Sequence, residues 1–244
     1  MKHDIPDKLV GYEQLTDHFK DGMTLMCGGF GGVGAPPGLI NFILDLGTKD
    51  INLISNDVGF PWIGPGKLIT EKRVKLLIAS HIGSNPEAGK QMHNDELEVL
   101  FYPQGTLAEK IRAGGMGLGG ILVDVGFGTL VEKGKQQVTV DDRPYMIEPA
   151  LTADVSIVFA KEADRYGNLT FDKSARNTNP HVATAGDITI VEAERIVEIG
   201  EIDPECIVTP GVYVDYVVPS KGVDWKWVWE LKREGGLPNA LHKK

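Results

Sequence analysis

Short apolar runs alternate with longer amphipathic stretches along the chain. The runs are four to seven residues long, rich in Val, Ile and Leu, and lie at residues 24–27, 51–55, 74–80, 97–101 and 155–160. Such runs are typical of buried β-strands, and the stretches between the first four are long enough for crossover helices. Their order predicts an α/β fold, with a mostly parallel open sheet and helices on both faces.

Two of the connecting stretches carry clear helical signals. Residues 36–46 place Leu39 and Ile43 on one face and are followed by Gly47, a residue typical of helix ends. A second helix is predicted at 106–113, where apolar residues and the stem of a lysine share one face and glycine follows.

The stretch at 119–148 departs from this alternation. Its predicted strands are closely spaced and lie at 120–123, 137–140 and 144–148. Close spacing favours antiparallel hairpins, so we expect a small antiparallel flap rather than a second domain. Further strands at 188–192 and 211–218 can complete the main sheet, and residues 1–219 are expected to form a single domain.

Residues 220–244 form a tail of different composition. Trp225, Trp227 and Trp229 stand on alternate residues, and basic residues follow them. Tryptophan combines a large apolar ring with a hydrogen-bond donor. We expect these side chains either to attach the tail to the domain or to dock onto a partner subunit.

Charge and composition narrow the range of functions. The chain has 25 Lys and Arg against 34 Asp and Glu, a net charge of −9, which argues against a nucleic-acid binder with a basic face. No apolar run reaches the roughly 18 residues of a membrane span, and the N-terminus lacks the order of a signal peptide. Two cysteines, without Cys-x-x-Cys or His-x-Glu patterns, predict neither a disulfide framework nor a metal site. We therefore expect a cytoplasmic protein.

Glycine is in excess, at 30 of 244 residues, and clusters directly after the first predicted strand. Residues 29–34 match the dinucleotide-binding pattern Gly-x-Gly-x-x-Gly, and Asp57 follows the next strand at the distance of a ribose contact. Pro36 and Pro37 belong in a first helical turn, however, which leaves the glycines in a loop before the helix. A nicotinamide site and a purely structural turn are both open at this point.

Four polar motifs each follow a predicted strand. They are the glycine loop, Ser55-Asn56-Asp57, Ser80-His81 and Pro103-Gln104-Gly105-Thr106. The carboxyl ends of parallel strands meet at one edge of a sheet, where ligands bind. The Asn56 and Gln104 amides can donate and accept hydrogen bonds, which suits a substrate carbonyl or carboxylate. His81 is expected to pack at its strand end rather than to act as a base, and no Gly-x-Ser-x-Gly nucleophile motif occurs.

Three long motifs stand in order along the chain. They lie at 27–40, at 103–115, and at 167–169 together with 174–180. With the stretch at 207–211, they resemble the signatures of family I CoA-transferases, in their α-subunit, from about Lys8 to Val218. Within that family the chain most resembles bacterial acetate/butyrate–acetoacetate CoA-transferases. It departs from the pattern at Thr178, where phenylalanine is common, and in its Trp-rich tail.

The resemblance implies an enzyme that works only with a second chain. In this family the nucleophile is a glutamate of the β-subunit in a Ser-Glu-Asn-Gly-like motif, and no Glu-Asn-Gly occurs in this sequence. The glutamate attacks an acyl-CoA thioester in a ping-pong reaction that passes through an enzyme-bound CoA thioester. Coenzyme A is then a substrate rather than a tightly bound cofactor, and an α2β2 assembly is expected.

The resemblance also suggests roles for the crevice residues. Gln104 is the candidate oxyanion donor or substrate contact, and Asn56 is a weaker candidate for substrate contact. The loop assigned to CoA or to the acyl end comprises Gly28, Gly29, Phe30, Gly31, Gly32, Val33 and Gly34. Its small residues would let a pantetheine thioester approach closely.

Two other functions are compatible with the same fold class. A metabolite-sensing or sugar-phosphate-binding domain would bind its ligand as an isolated chain. A nicotinamide-dependent oxidoreductase would bind NADH. A transferase α-subunit would be inactive alone and active with its β-subunit.

Overall fold

The computed structural model describes residues 6–225, in which strands and helices alternate. The helices are α1 (Pro37–Leu46), α2 (Gly66–Thr70), α3 (Pro86–His93), α4 (Gln104–Gly115) and α5 (Asn179–Val182). The strands are β1 (Thr24–Cys27), β2 (Ile51–Ser55), β3 (Val74–Ala79), β4 (Glu98–Phe101), β5 (Gly120–Val123), β6 (Gln137–Val140), β7 (Arg143–Pro149), β8 (Ala153–Asp164), β9 (Leu169–Thr170), β10 (Gly186–Val197) and β11 (Tyr216–Pro219). None of the helices within 6–225 is long and apolar enough to cross a bilayer.

The main sheet has the order β11-β10-β8-β1-β2-β3-β4, and these strands are parallel. The short strand β9 pairs with β8 in the antiparallel direction. The chain builds outward from β1 to β4 and then returns to β8 on the other side of β1. The strand order therefore reverses between β1 and β8, the position where open α/β sheets bind ligands. The predicted mostly parallel sheet is confirmed.

Alternate residues of the central strands supply two apolar cores, one on each face of the sheet. Leu25 and Leu53 face the core formed with α1, α2 and α3, whereas Met26 and Ile54 face the core formed with α4 and α5. A parallel sheet covered by helices on both faces needs apolar residues at consecutive strand positions. This explains the continuous apolar runs in the sequence and confirms the prediction of helices on both faces.

Several predicted boundaries change in the structure. Strands β8 and β10 are longer than predicted, because they pair with each other well beyond the end of β1. The strand predicted at 211–218 is wrong in its first half, since Gly211–Tyr213 forms a 3₁₀ turn and β11 begins only at Tyr216. A Cβ atom on Gly211 would lie 2.6 Å from Cδ1 of Tyr166, so close packing determines the chain path there.

The predicted flap is present as a three-stranded antiparallel sheet in the order β5-β7-β6. Asp141 and Asp142 form the turn between β6 and β7, with φ values of 48° and 59°. Positive φ at both central residues is typical of the tight turns whose twist matches that of a hairpin, and Asp tolerates it better than most residues.

A buried ion cluster attaches the flap to helix α4. The Lys110 Nζ atom lies 2.7 Å from Glu148 Oε2 on β7, and Lys135 pairs with Glu148 Oε1. The Lys110 and Glu148 side chains are 2% and 1% exposed. The Tyr102 ring centroid lies 4.3 Å from Lys110 Nζ and 4.9 Å from Lys135 Nζ. Burial lowers the pKa of both lysines, and two cations share one buried carboxylate.

Glu148→Gln is expected to lower the free energy of unfolding by about 3 kcal/mol, because it leaves the buried Lys110 ammonium without its counter-charge. Glu109→Gln is the matched control, since Glu109 pairs with Arg112 on the exposed face of α4 and such pairs contribute only about 0.5 kcal/mol. Urea unfolding followed by circular dichroism measures both variants. Equal losses in the two would contradict a structural role for the cluster.

Candidate active site

The structure brings the polar motifs together at the carboxyl edge of the parallel sheet. The glycine loop leaves β1, Asn56 follows β2, Ser80 follows β3, and Gln104 follows β4. Ser80 Oγ donates to the Asn56 carbonyl oxygen at 2.6 Å, and the side-chain amides of Asn56 and Gln104 are in direct contact. Residues that are distant in sequence meet here because neighbouring parallel strands end at the same edge.

A chain of hydrogen bonds links Gln104 to the glycine loop. Gln104 Nε2 donates to Asn56 Oδ1 at 3.1 Å, and Asn56 Nδ2 donates to Asp57 Oδ2 at 2.8 Å. The same carboxylate accepts the N–H groups of Gly31 at 2.8 Å and of Gly59 at 2.7 Å. Asn56 and Asp57 are buried, whereas Gln104 is exposed. The solvent-accessible end of this chain is therefore the Gln104 amide.

The glycine loop, residues 28–34, folds into a tight turn of its own. Phe30 and Val33 exchange two backbone hydrogen bonds, of 2.9 and 3.1 Å, across it. Four of its glycines have φ values between 59° and 118°, which residues with side chains rarely adopt. The Phe30 side chain at the tip is 51% exposed. The high glycine content is thus required by the path of the backbone.

The loop amides are less available to a ligand than its composition suggests. The N–H groups of Phe30, Gly31 and Val33 all have acceptors within the protein. A loop that cradles a pyrophosphate needs such groups for its ligand. Asp57 is buried, and its carboxylate already accepts the Gly31 N–H, so it is not free for a ribose. These contacts argue against the nicotinamide interpretation of this motif.

Asparagine side chains of a later segment hold the other side of the loop. Asn177 Nδ2 donates to the Val33 carbonyl oxygen, and Asn179 Nδ2 donates to the Gly34 carbonyl oxygen, both at 2.9 Å. Asn179 is fully buried, and a Cβ atom on Gly28 would lie 1.9 Å from its Oδ1 atom. Gly28 is therefore required by close packing. The sequence resemblance identified this segment but did not assign it a role.

Thr178, the position at which the sequence departs from the common phenylalanine, also contacts the loop. Its Oγ1 atom lies 3.3 Å from the Gly29 nitrogen and 3.2 Å from the Gly29 carbonyl oxygen. A hydroxyl can both donate and accept, so Thr178 can pair with both backbone groups. No contact is predicted for this position from the sequence; the run of three short polar side chains before Pro180 is the one local signal that points to it.

The beginning of the tail packs close to the end of the loop. Trp225 Nε1 donates to the Ala35 carbonyl oxygen at 2.8 Å, and its ring lies edge-on to Phe159 with centroids 4.6 Å apart. Trp225 thus contacts the domain itself. Trp227 and Trp229, which carry the rest of the predicted pattern, lie outside the described residues.

Glu192 is a buried carboxylate that supports the start of helix α1. It accepts the Leu39 N–H at 3.0 Å and the Ser220 hydroxyl at 2.6 Å. Burial raises the pKa of Glu192 above its ordinary value, while these hydrogen bonds oppose the shift. With its oxygens directed at the helix start and at Ser220, this carboxylate is placed for a structural role rather than for attack on a substrate.

His81 and Gln104 are both exposed at strand ends, but their surroundings differ. His81 is exposed beyond β3, but its ring lies against Gly83, where a Cβ atom would come within 2.8 Å of His81 Cε1. Gln104 instead begins helix α4, and no side chain caps the first turn of that helix. The N–H groups of a first turn have no partner within the helix, and the helix dipole adds positive potential there. An anionic oxygen beside Gln104 would be stabilised by both.

Comparison with known proteins agrees with this geometry. The model of a family described as coenzyme A transferase matches residues 12–220. The probable coenzyme A transferase subunit alpha of Bacillus subtilis (strain 168) is 59% identical over 224 residues, which cover 91% of this chain and 98% of that relative. The acetoacetyl-CoA:acetate/butyrate CoA transferase alpha subunit of Clostridium acetobutylicum is 47% identical over 211 residues, which cover 86% and 97%.

A solved structure shares the fold at low sequence identity. The glutaconate coenzyme A-transferase of Acidaminococcus fermentans aligns with a TM-score of 0.76 over 87% of this chain and 75% of that chain, at 22% identity. This likeness concerns the fold alone, whereas the family match and the two relatives concern the sequence. Together they show that the chain belongs to the coenzyme A transferase family and confirm its resemblance to the α-subunits of that family.

Proposed function

We propose that this chain is the α-subunit of a two-subunit enzyme that moves CoA between a short-chain acyl-CoA and a short-chain carboxylate. Acetoacetyl-, acetyl- and butyryl-CoA are the proposed donors, in line with the substrates named for the Clostridium acetobutylicum relative. The observation that carries the proposal is the exposed Gln104 amide, held by Asn56 at the uncapped start of α4.

The proposed chemistry needs neutral donors where negative charge develops. A glutamate of the β-subunit attacks the acyl-CoA carbonyl and forms an acyl-glutamyl anhydride, and the CoA thiolate leaves. The thiolate then attacks the glutamyl carbonyl, which releases the carboxylate and leaves an enzyme–CoA thioester. The acceptor carboxylate runs the same steps in reverse. Every attack places negative charge on a carbonyl oxygen, and a preorganised amide N–H stabilises that charge.

The residues of this chain fit distinct parts of that reaction. Gln104 presents a side-chain N–H in the field of the α4 dipole and is the proposed oxyanion or carboxylate contact. Asn56 lies directly behind it, so its proposed contact with substrate is secondary to its contact with Gln104. The loop at 28–34 is proposed to face the thioester through its exposed tip at Phe30 rather than through its backbone amides.

The proposed active site lies between two chains. The sequence contains no Glu-Asn-Gly, the core of the motif that bears the nucleophile in this family. The carboxylate nearest to Gln104 along the hydrogen-bond chain belongs to Asp57, which is buried and accepts three N–H groups. The nucleophile is therefore proposed to come from a β-subunit, in an α2β2 assembly or a multiple of it.

Co-expression with its β-subunit is expected to produce CoA exchange between acetoacetyl-CoA and acetate or butyrate, because each chain supplies part of the site. The chain alone should show none. The measurement is the rate of acetoacetyl-CoA consumption with each acceptor, with the isolated chain as control. Activity of the isolated chain, or a pair that uses none of these substrates, would contradict the proposal.

Gln104→Ala is expected to lower kcat roughly 100-fold in the assembled pair, since loss of one oxyanion donor has effects of this order. Gln137→Ala is the matched control, because Gln137 is an exposed glutamine of the flap whose side chain donates to Glu132. Steady-state kinetics and gel filtration separate catalysis from assembly. Wild-type turnover of the Gln104→Ala pair would remove this residue from the mechanism.

Asn179→Ala is expected to raise the KM for acyl-CoA about tenfold and to lower the melting temperature, because the Gly34 and Ala175 carbonyls lose a buried donor. Asn41→Ala is the control, as Asn41 bonds to Lys67 on the exposed side of α1. A lower melting temperature with an unchanged KM would mean that the loop position does not influence substrate binding.

A further inference from the structure

Asp57 is a buried carboxylate to which the proposed exchange reaction assigns no step. Its side chain is 6% exposed, and three N–H groups donate to it, from Gly31, Gly59 and the Asn56 amide. An ionised carboxylate has only acceptors, and three N–H donors are the partners it requires. Each polar group that contacts the Asp57 carboxylate must therefore be a hydrogen-bond donor.

This requirement for donors determines the orientation of the Asn56 amide and, through it, that of the Gln104 amide. Asn56 must present Nδ2 to the Asp57 carboxylate, because its own oxygen there would face another oxygen. The Oδ1 atom of Asn56 consequently faces Gln104, and Gln104 must present Nε2 in return. Two amides that could each lie in either of two orientations are thus held in one. The remaining N–H of Gln104 then has a defined direction.

We infer that Asp57 is a positioning residue, which orients the Gln104 amide through Asn56 and ties it to the glycine loop through Gly31. The inference rests on the proposed role of Gln104 in the exchange reaction. A misdirected amide would present Oε1, which repels a developing oxyanion, where N–H is needed. Asp57 acts at a distance of two hydrogen bonds and does not itself touch the substrate.

Asparagine at position 57 would not preserve this arrangement. In Asp57 one carboxylate oxygen accepts from Gly59 and the other accepts from Gly31 and Asn56. Asparagine has one oxygen, so its NH2 group must face either the Gly59 N–H or the pair formed by Gly31 and Asn56. In the second case Asn56 turns over to present its oxygen, and Gln104 must turn over as well. Asp57→Asn therefore keeps the shape of the side chain but no longer holds the Gln104 amide in one orientation.

A double-mutant cycle in the assembled αβ enzyme tests the inference, with Asp57→Asn, Gln104→Ala and the combined variant. Asp57→Asn is expected to lower kcat about 30-fold and to change KM by less than about threefold, since orientation matters most in the transition state. In the Gln104→Ala background the same substitution should lower kcat by less than about threefold, because residues that act through one another are not additive.

Asp164→Asn is the matched control. Asp164 is 1% exposed and likewise accepts three N–H groups, from the Tyr166 backbone and from the backbone and side chain of Asn168, in the β8–β9 connection. Neutralising it should lower the melting temperature while kcat stays within about threefold of wild type. This separates the loss of a buried charge from the loss of orientation.

The outcomes distinguish the inference from the proposed function. An Asp57→Asn effect of equal size in both backgrounds, or wild-type kcat in Asp57→Asn alone, overturns the positioning role while the exchange activity stands. An unaffected Gln104→Ala enzyme removes Gln104 from the mechanism and overturns the inference, while the exchange activity stands. A wild-type pair without exchange activity overturns the proposed function and the inference with it. If Asp57→Asn does not assemble, Asn56→Ala breaks the same chain nearer to Gln104. Its effect on kcat must then disappear in the Gln104→Ala background.

Discussion

The candidate site depends on the hydrogen bonds that hold the backbone of the glycine loop after strand β1. Four glycines of this loop have positive φ values, and its buried N–H and C=O groups need partners from elsewhere in the chain. On one side the Asp57 carboxylate accepts the Gly31 N–H. On the other side the amides of Asn177 and Asn179 donate to loop carbonyls. Unpaired buried backbone groups would cost about 1–3 kcal/mol each. The loop is therefore held on two sides by polar side chains from different parts of the chain.

That same carboxylate connects the loop to the edge where charge would develop. Asp57 lies beneath Asn56, which lies beneath the exposed Gln104 amide. The arrangement keeps the ionic group buried and presents a neutral donor to the solvent side, at the positive end of helix α4. A neutral donor suits the proposed reaction, because it can stabilise an oxyanion without forming a tight ion pair with an anionic substrate in the ground state.

The flap and the beginning of the tail are attached beside this edge by different interactions. The ion cluster of Lys110, Lys135 and Glu148 fastens the antiparallel sheet to the helix that begins at Gln104. Trp225 packs against the residue that follows the loop. Removing Glu148 from this cluster would leave a buried charge uncompensated, which costs several kcal/mol. We therefore expect the flap to keep a fixed position relative to helix α4. Both ends of the candidate site are thus supported by groups outside it.

The sequence by itself determined the fold class, the position of the loop and the strand ends that carry Asn56 and Gln104. The positions of strands, helices and the loop follow from local sequence signals. Apolar runs, proline at a helix start and glycine at a helix end each determine the backbone conformation of the residues next to them. Only the tertiary structure decided the exposure of His81, the turn at Gly211–Tyr213 and the partners of the loop. Asp57 could be a ribose contact by spacing alone, and Asn177 and Asn179 are far from the loop in sequence. Hydrogen bonds between distant segments depend on strand order and close packing, which local patterns do not encode.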